Sequence, residues 1–156
     1  YDMNIMKPGQ DLFDITSKIL LGLKSILINS KSHLVLVHGD TTTAMAATIA
    51  SFYLKIPVAH VEAGLRTRDI TSPYPEEFNR QLITRVASYN FSPTEQSRKN
   101  LLNESVSDNS IYITGNTVID TLLVTAKKVE SMEFPRDILE ELPFLKKTKD
   151  HSKIFL

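Results

Sequence analysis

The sequence contains no cysteine. A disulfide framework, a thiolate metal site, a redox pair and a catalytic thiol are therefore excluded. Neither charge is in excess. Eighteen Lys and Arg stand against eighteen Asp and Glu in 156 residues, a formal net charge of +0. A nucleic acid or an acidic membrane calls for a basic surplus or a clustered basic face, so neither partner is expected. Long apolar runs are also missing. The chain is 42% hydrophobic, yet no stretch nears the ~18–20 residues that a membrane span needs. Neither GxGxxG nor GxxxxGK[ST] occurs, which removes support for a nicotinamide enzyme or a P-loop NTPase. His33, His38, His60 and His151 have no metal-ligand spacing, so neither a metal nor a cofactor is expected. No basic–apolar–small leader follows Tyr1, and the expected location is the cytoplasm.

What remains is a length that suits one domain and a regular alternation of patterns. Apolar residues from Gln10 to Ile28 recur at helical spacing after the Pro8-Gly9 breaker. Leu34-Val35-Leu36-Val37 reads as a buried strand stopped by Gly39-Asp40, and Thr41 to Leu54 as a helix. Pro57–Val61, Tyr89–Phe91 and Ile111–Ile113 read as further strands. Helices are predicted over 76–86, from Glu95 to Asn103, over 117–129 and over 136–147. This rhythm predicts an α/β fold, a Rossmann-like parallel sheet with helices on both faces. The predicted core spans 10–129. A charged helix or linker follows over 130–152, where Lys146-Lys147-Thr148-Lys149 reads as solvated. Residues 153–156 read as the start of a truncated strand, so the chain is expected to be a piece of a longer protein.

In an open parallel sheet, ligands bind beyond the carboxyl ends of the strands. Asp40 follows the first strand, Glu62 follows the second, and Glu76 stands at the end of a loop over 63–75. Three acids sharing one crevice can divide acid and base work. Each also has a plainer reading: Asp40 as a helix cap, Glu76 and Glu77 as first-turn acids facing the helix dipole. Thr41-Thr42-Thr43 can donate to a phosphate or sugar hydroxyl, or simply cap. His38 and His60 end neighbouring strands, either facing one crevice or each held by a structural hydrogen bond. Arg66, Arg68 and Arg80 can clamp an anionic substrate or pair with Glu76 or Glu77. The loop carries few large apolar anchors and reads as a substrate-ordered lid. Ser92 has no His–Asp partners at triad-like positions.

Five motifs stand in order: His38-Gly39-Asp40-Thr41-Thr42-Thr43, His60-Val61-Glu62-Ala63-Gly64-Leu65-Arg66-Thr67, Ser72-Pro73-Tyr74-Pro75-Glu76-Glu77-Phe78-Asn79-Arg80, Phe91-Ser92-Pro93-Thr94-Glu95 and Thr114-Gly115-Asn116-Thr117-Val118-Ile119-Asp120. Together they resemble the non-hydrolysing UDP-N-acetylglucosamine 2-epimerases over most of residues 3–126. The resemblance implies one half of a two-domain, GT-B-like fold, with this chain as an incomplete N-terminal domain and the C-terminal UDP-binding domain absent. It implies inversion at C2 of the sugar by elimination and re-addition of UDP, in the service of surface polysaccharide synthesis. It assigns catalysis to Asp40, Glu62 and Glu76, and substrate binding to His38, Thr41, Arg66, Glu77 and Arg80. It also implies a UDP-sugar substrate and a homodimer when complete. Some members contact an activating second substrate through an Arg where this chain has Gly9, a contact that Gly9 does not make. Two alternatives stand beside it: a hydrolysing 2-epimerase, against which the HGDTTT and PYPEEFNR contexts argue, and a non-catalytic nucleotide-sugar-binding half-domain.

Overall fold

The computed structural model describes residues 1–132 and 135–141. In chain order they form α1 (Leu12–Ser30), β1 (Val35–His38), α2 (Thr42–Tyr53), β2 (Val58–Val61), α3 (Glu76–Val86), β3 (Tyr89–Ser92), α4 (Glu95–Asn103), a single 3₁₀ turn (Asp108–Ser110), β4 (Ile111–Ile113), α5 (Thr117–Glu130) and α6 (Arg136–Glu141). Every predicted strand before 153 and every predicted helix before 130 is present. The predicted strand at 153–156 and the helix residues 142–147 lie outside the described residues.

Local chemistry sets the helix ends. α1 starts two residues later than its apolar spacing suggested because Asp11 and Asp14 close a reciprocal cap. Asp11 Oδ1 accepts from the Asp14 N–H at 2.9 Å, and the Asp14 carboxylate accepts from the Asp11 N–H at 3.3 Å. Lys31, with φ of 50°, ends it in the left-handed region. α2 is capped by Thr41, whose Oγ1 accepts from the Ala44 N–H at 3.2 Å. α3 begins directly after Pro75 and carries Glu76 and Glu77 in its first turn.

The four strands are parallel in the order β1-β2-β3-β4. The order advances one place at a time, so right-handed crossovers put α2, α3 and α4 on one side of the sheet. Burial agrees. On that side Val37, Val58, His60, Asn90 and Ile111 are buried. Val37, Val58, Ala44, Met45 and Ile83 form the larger apolar cluster, and Ala63, Leu101 and Ile111 a smaller one. α1 packs against α2.

The molecule divides into two compact units, residues 1–117 and 118–156. Within the first unit the opposite sheet face carries Leu36, Tyr89 and Tyr112, which are 64%, 43% and 45% exposed. The helical cover expected on both faces is supplied on one face by the elements of this unit. The second unit contains nearly all of α5, whose apolar residues Val118, Ile119, Leu122 and Leu123 are exposed, together with α6.

Candidate functional site

Parallel register decides which strand-end residues can meet. Val37 pairs with His60 and His38 with Val61, so His38 and His60 project from opposite faces of the sheet. They do not share a crevice. His60 is fully buried under the helices, and its Nε2–H donates to the Gly39 carbonyl at 2.8 Å. Burial pushes its pKa down to about 4, against the raising effect of that hydrogen bond and with help from the nearby Arg66 and His38 charges. The imidazole is therefore neutral, a structural clamp on the turn after β1.

That turn delivers Asp40. Gly39 adopts φ of +69°, a region open to glycine at little cost, and its N–H donates to the Val61 carbonyl at 3.0 Å. The capping alternative for Asp40 fails because Thr41 takes the cap. The Asp40 carboxylate is free to pair instead with Arg80, whose Nε lies 3.2 Å from Oδ2. The backbone is pinned separately: Asn79 Nδ2 donates to the Asp40 carbonyl at 2.8 Å. α3 thus holds Asp40 through two side chains, one turn past Glu76.

Glu62 is placed by a different device. It leaves β2 with φ of +70°, a left-handed conformation that costs a non-glycine residue roughly 1–2 kcal/mol. Its carboxylate passes over Gly39, where an added Cβ would stand 3.4 Å from Glu62 Oε2. His38 Nε2 lies 3.6 Å from the same oxygen. His38 is 58% exposed, Glu62 30% and Asp40 26%, so all three face solvent at the carboxyl ends of β1 and β2. Two residues further on, Gly64 lets the chain pass against α4. A Cβ there would run into the Ser97 carbonyl, and Asn100 Nδ2 donates to the Gly64 carbonyl at 2.9 Å.

Two expected ligand contacts are placed elsewhere. The Arg66 side chain is 2% exposed, and its Nε and Nη2 grip both carboxylate oxygens of Glu104, at 2.6 and 2.8 Å. Nη2 also donates to Thr84 Oγ1 and Nη1 to the Leu65 carbonyl. With its donors committed inside the protein, Arg66 is a brace between the loop, α3 and the end of α4. Glu77 is fully buried and presents no surface to a ligand. It accepts from the Thr67 N–H at 3.0 Å, the Arg68 N–H at 3.3 Å and Gln81 Nε2 at 2.9 Å, and stands 3.3 Å from Arg80 Nε. Burial opposes its charge. The Gln81, Thr67 and Arg68 hydrogen bonds and the Arg80 charge outweigh it and hold the carboxyl below its ordinary range.

These contacts revise the lid expected over 63–75. Its base is tied down by Arg66 and Glu77, and its tip is folded on itself. Thr67 Oγ1 donates to the Ser72 carbonyl, Asp69 bridges Ser72, and Asp69 Oδ1 accepts from the Thr71 hydroxyl and N–H. Glu104, Asn79 and Gln81 were absent from the sequence-based candidates. α3 did carry a signal: Glu77, Arg80, Gln81 and Thr84 recur at helical spacing beside the apolar Leu82, Ile83 and Val86. A polar stripe on a helix that must pack is a stripe with partners. Glu104 had no comparable mark. Thr41 follows Asp40 in the chain and Arg80 pairs with it; Thr41 is exposed, and Glu76, the first residue of α3, is half-buried. Among the described residues no cluster of His, Asp or Glu suits a metal ion.

Comparison with known proteins gives this arrangement a family. The family model described as UDP-N-acetylglucosamine 2-epimerase matches residues 1–150. The UDP-N-acetylglucosamine 2-epimerase of Escherichia coli K12 is 57% identical over 146 residues, which is 93% of this chain and 39% of that protein. The Neisseria meningitidis enzyme of the same name is 47% identical over 156 residues, 100% of this chain and 41% of that protein. Among solved structures, the N. meningitidis UDP-GlcNAc 2-epimerase bound to UDP-GlcNAc is 49% identical with a TM-score of 0.82, covering 92% of this chain and 39% of that one. The Methanocaldococcus jannaschii enzyme in complex with UDP-GlcNAc and UDP is 39% identical with a TM-score of 0.83, covering 90% and 38%. The chain thus spans about 40% of the length of the curated relatives it matches. With its strand-end carboxylates in that fold, the chain belongs to the UDP-N-acetylglucosamine 2-epimerase family.

Proposed function

We propose that the complete protein carrying this segment inverts C2 of UDP-N-acetylglucosamine to give UDP-N-acetylmannosamine, and that this segment supplies the acid–base side of the cleft. The C2 proton is not acidic, which makes direct removal and return unattractive. Elimination of UDP across C1–C2 gives a 2-acetamidoglucal. Re-addition of UDP at C1, with a proton delivered to C2 from the other face, gives the epimer. The scheme needs a base, an acid and stabilisation of the departing diphosphate.

One observation carries this assignment. Asp40 and Glu62 leave the carboxyl ends of adjacent parallel strands, each by a dedicated device, and both remain accessible. Glu76, at the start of the helix that holds Asp40, is the third acid. Arg80 bears its positive charge beside Asp40 and holds that carboxylate in place. Thr41 and His38 stand at the same rim, placed for sugar or phosphate oxygens. The two relatives solved with UDP-GlcNAc bound support the substrate class.

By the same motif resemblance, we take this segment as the N-terminal half of a GT-B-like, cytoplasmic homodimer that supplies a surface-polysaccharide precursor. The zero net charge supports no nucleic-acid partner. No helix among the described residues is long and apolar enough to cross a membrane. The test is direct: incubate the complete protein with UDP-N-acetylglucosamine and follow the anomeric proton signals. Appearance of UDP-N-acetylmannosamine supports the proposal. Release of free N-acetylmannosamine and UDP would replace it with a hydrolysing epimerase, and binding without turnover with a non-catalytic half-domain.

A further inference from the structure

We propose that Glu77 is a positioning residue: its buried carboxylate ties the backbone of Thr67 and Arg68 to α3 and holds Arg80 where it reaches Asp40. The inference deepens the proposed epimerase function and, in its kinetic part, rests on it. Glu77 is 0% exposed, so it touches no substrate. It nonetheless accepts three hydrogen bonds, from two loop N–H groups and from Gln81 one turn along α3, and forms an ion pair with Arg80. The charge is well compensated, and each contact has consequences outside the carboxylate. Arg68 adopts φ of +69°, a conformation that persists only where surroundings impose it, and the Glu77 oxygen on its N–H is such a restraint. Arg80 Nε lies almost midway between two acids, 3.2 Å from Asp40 Oδ2 and 3.3 Å from Glu77 Oε2. Glu77 therefore fixes the guanidinium from behind while Asp40 meets it from the cleft. The loop that ends in Glu76 and the arginine that meets Asp40 are anchored to one buried group.

Glu77→Gln tests this, because an amide keeps the volume but removes the charge and offers an NH₂ where only acceptors fit. Glu77→Asp is the milder companion, keeping the charge and shortening the reach; it carries the test if the first variant does not fold. Two readouts are taken. In the complete protein, amide exchange at Thr67 and Arg68 is expected to quicken at least about tenfold while α2 and the sheet keep their protection. In the complete enzyme, kcat is expected to fall about 10–100-fold, the scale of a small misplacement of catalytic groups, with KM within about threefold. Glu77→Asp should recover part of the kcat loss by keeping Arg80 paired. Unchanged exchange at Thr67 and Arg68 would overturn the anchoring claim. Equal quickening throughout the first unit, with kcat per folded molecule unaltered, would make Glu77 merely structural and overturn the positioning claim. If the wild-type protein shows no epimerisation, the proposed function fails, and exchange at Thr67 and Arg68 still decides the anchor.

Discussion

Asp40 and Glu62 stand at equivalent places, each just past a strand end, yet the molecule holds them by opposite means. Asp40 is fixed by side chains. Arg80 meets its carboxylate, Asn79 holds its carbonyl, and Glu77 stands behind Arg80. Glu62 is fixed by its own backbone, turned to φ of +70°, with His38 as a partially exposed neighbour. The first arrangement spends its interactions on place and charge together; the second accepts local strain to aim a carboxylate into the open. Under the proposed function, one acid aimed by its own backbone and one braced by side chains suit two different proton-transfer tasks.

The largest expected effect treats the two sides alike. In the complete enzyme, Asp40→Asn, Glu62→Gln and Glu76→Gln should each lower kcat by ~10²–10⁴, the range of a general acid or base, with melting temperatures close to wild type. A full rate in any of the three would remove that residue from the mechanism and collapse the comparison. Next comes the clamp on the turn that precedes Asp40. The His60 pKa in the folded chain, about 4, lies below the ordinary 6.5, so between those values the unfolded chain binds the extra proton. Stability is then highest above pH 6.5 and falls with pH towards 4. Urea unfolding should show about 2 kcal/mol lost from this group between pH 7 and 5, and His60→Gln should flatten the slope. Glu77, held below its usual range, adds a loss in the same direction only at lower pH.

Smaller changes separate the devices. Thr41→Ala removes the cap of α2 and should lower unfolding free energy by about 1 kcal/mol, without the large kcat loss. Glu62→Gly relieves the left-handed strain and adds chain entropy to the unfolded state, two effects of about 1 kcal/mol that oppose each other. Its stability should therefore change by less than about 1 kcal/mol while activity disappears. A large destabilisation would mean that Glu62 supports the fold, and the contrast with Asp40 would lose its basis.

The sequence showed the frame of this site well and its bracing poorly, for physical reasons. Short β-branched runs ended by Gly39, by Glu62-Ala63-Gly64 and by Gly115 are local signals, and strand ends in a parallel sheet point to the ligand rim. That logic reached Asp40, Glu62 and Glu76 without knowledge of register. Register itself is not local, and it puts His38 and His60 on opposite faces. Arg66 and Glu77 look like ligand contacts because they are charged residues around a functional loop. Only packing shows that Arg66 reaches across 38 positions to Glu104 and that Glu77 is buried under the loop. Asp40 and Thr41 were both possible caps, and the backbone decided for Thr41. A pair of neighbouring acids such as Glu76 and Glu77 reads alike in one dimension. On a helix they point about 100° apart, which leaves Glu76 half-buried while Glu77 is fully buried.

The central claim is that the acids at these strand ends remove the C2 proton and return one from solvent-exchangeable groups. Turnover of UDP-N-acetylglucosamine by the complete protein in D₂O, read by mass and proton spectra of the product, tests it most directly. The expected product is UDP-N-acetylmannosamine carrying one deuterium at C2, with the label lost together with activity in Glu62→Gln or Asp40→Asn. A product that keeps its original hydrogen at C2 would contradict the claim.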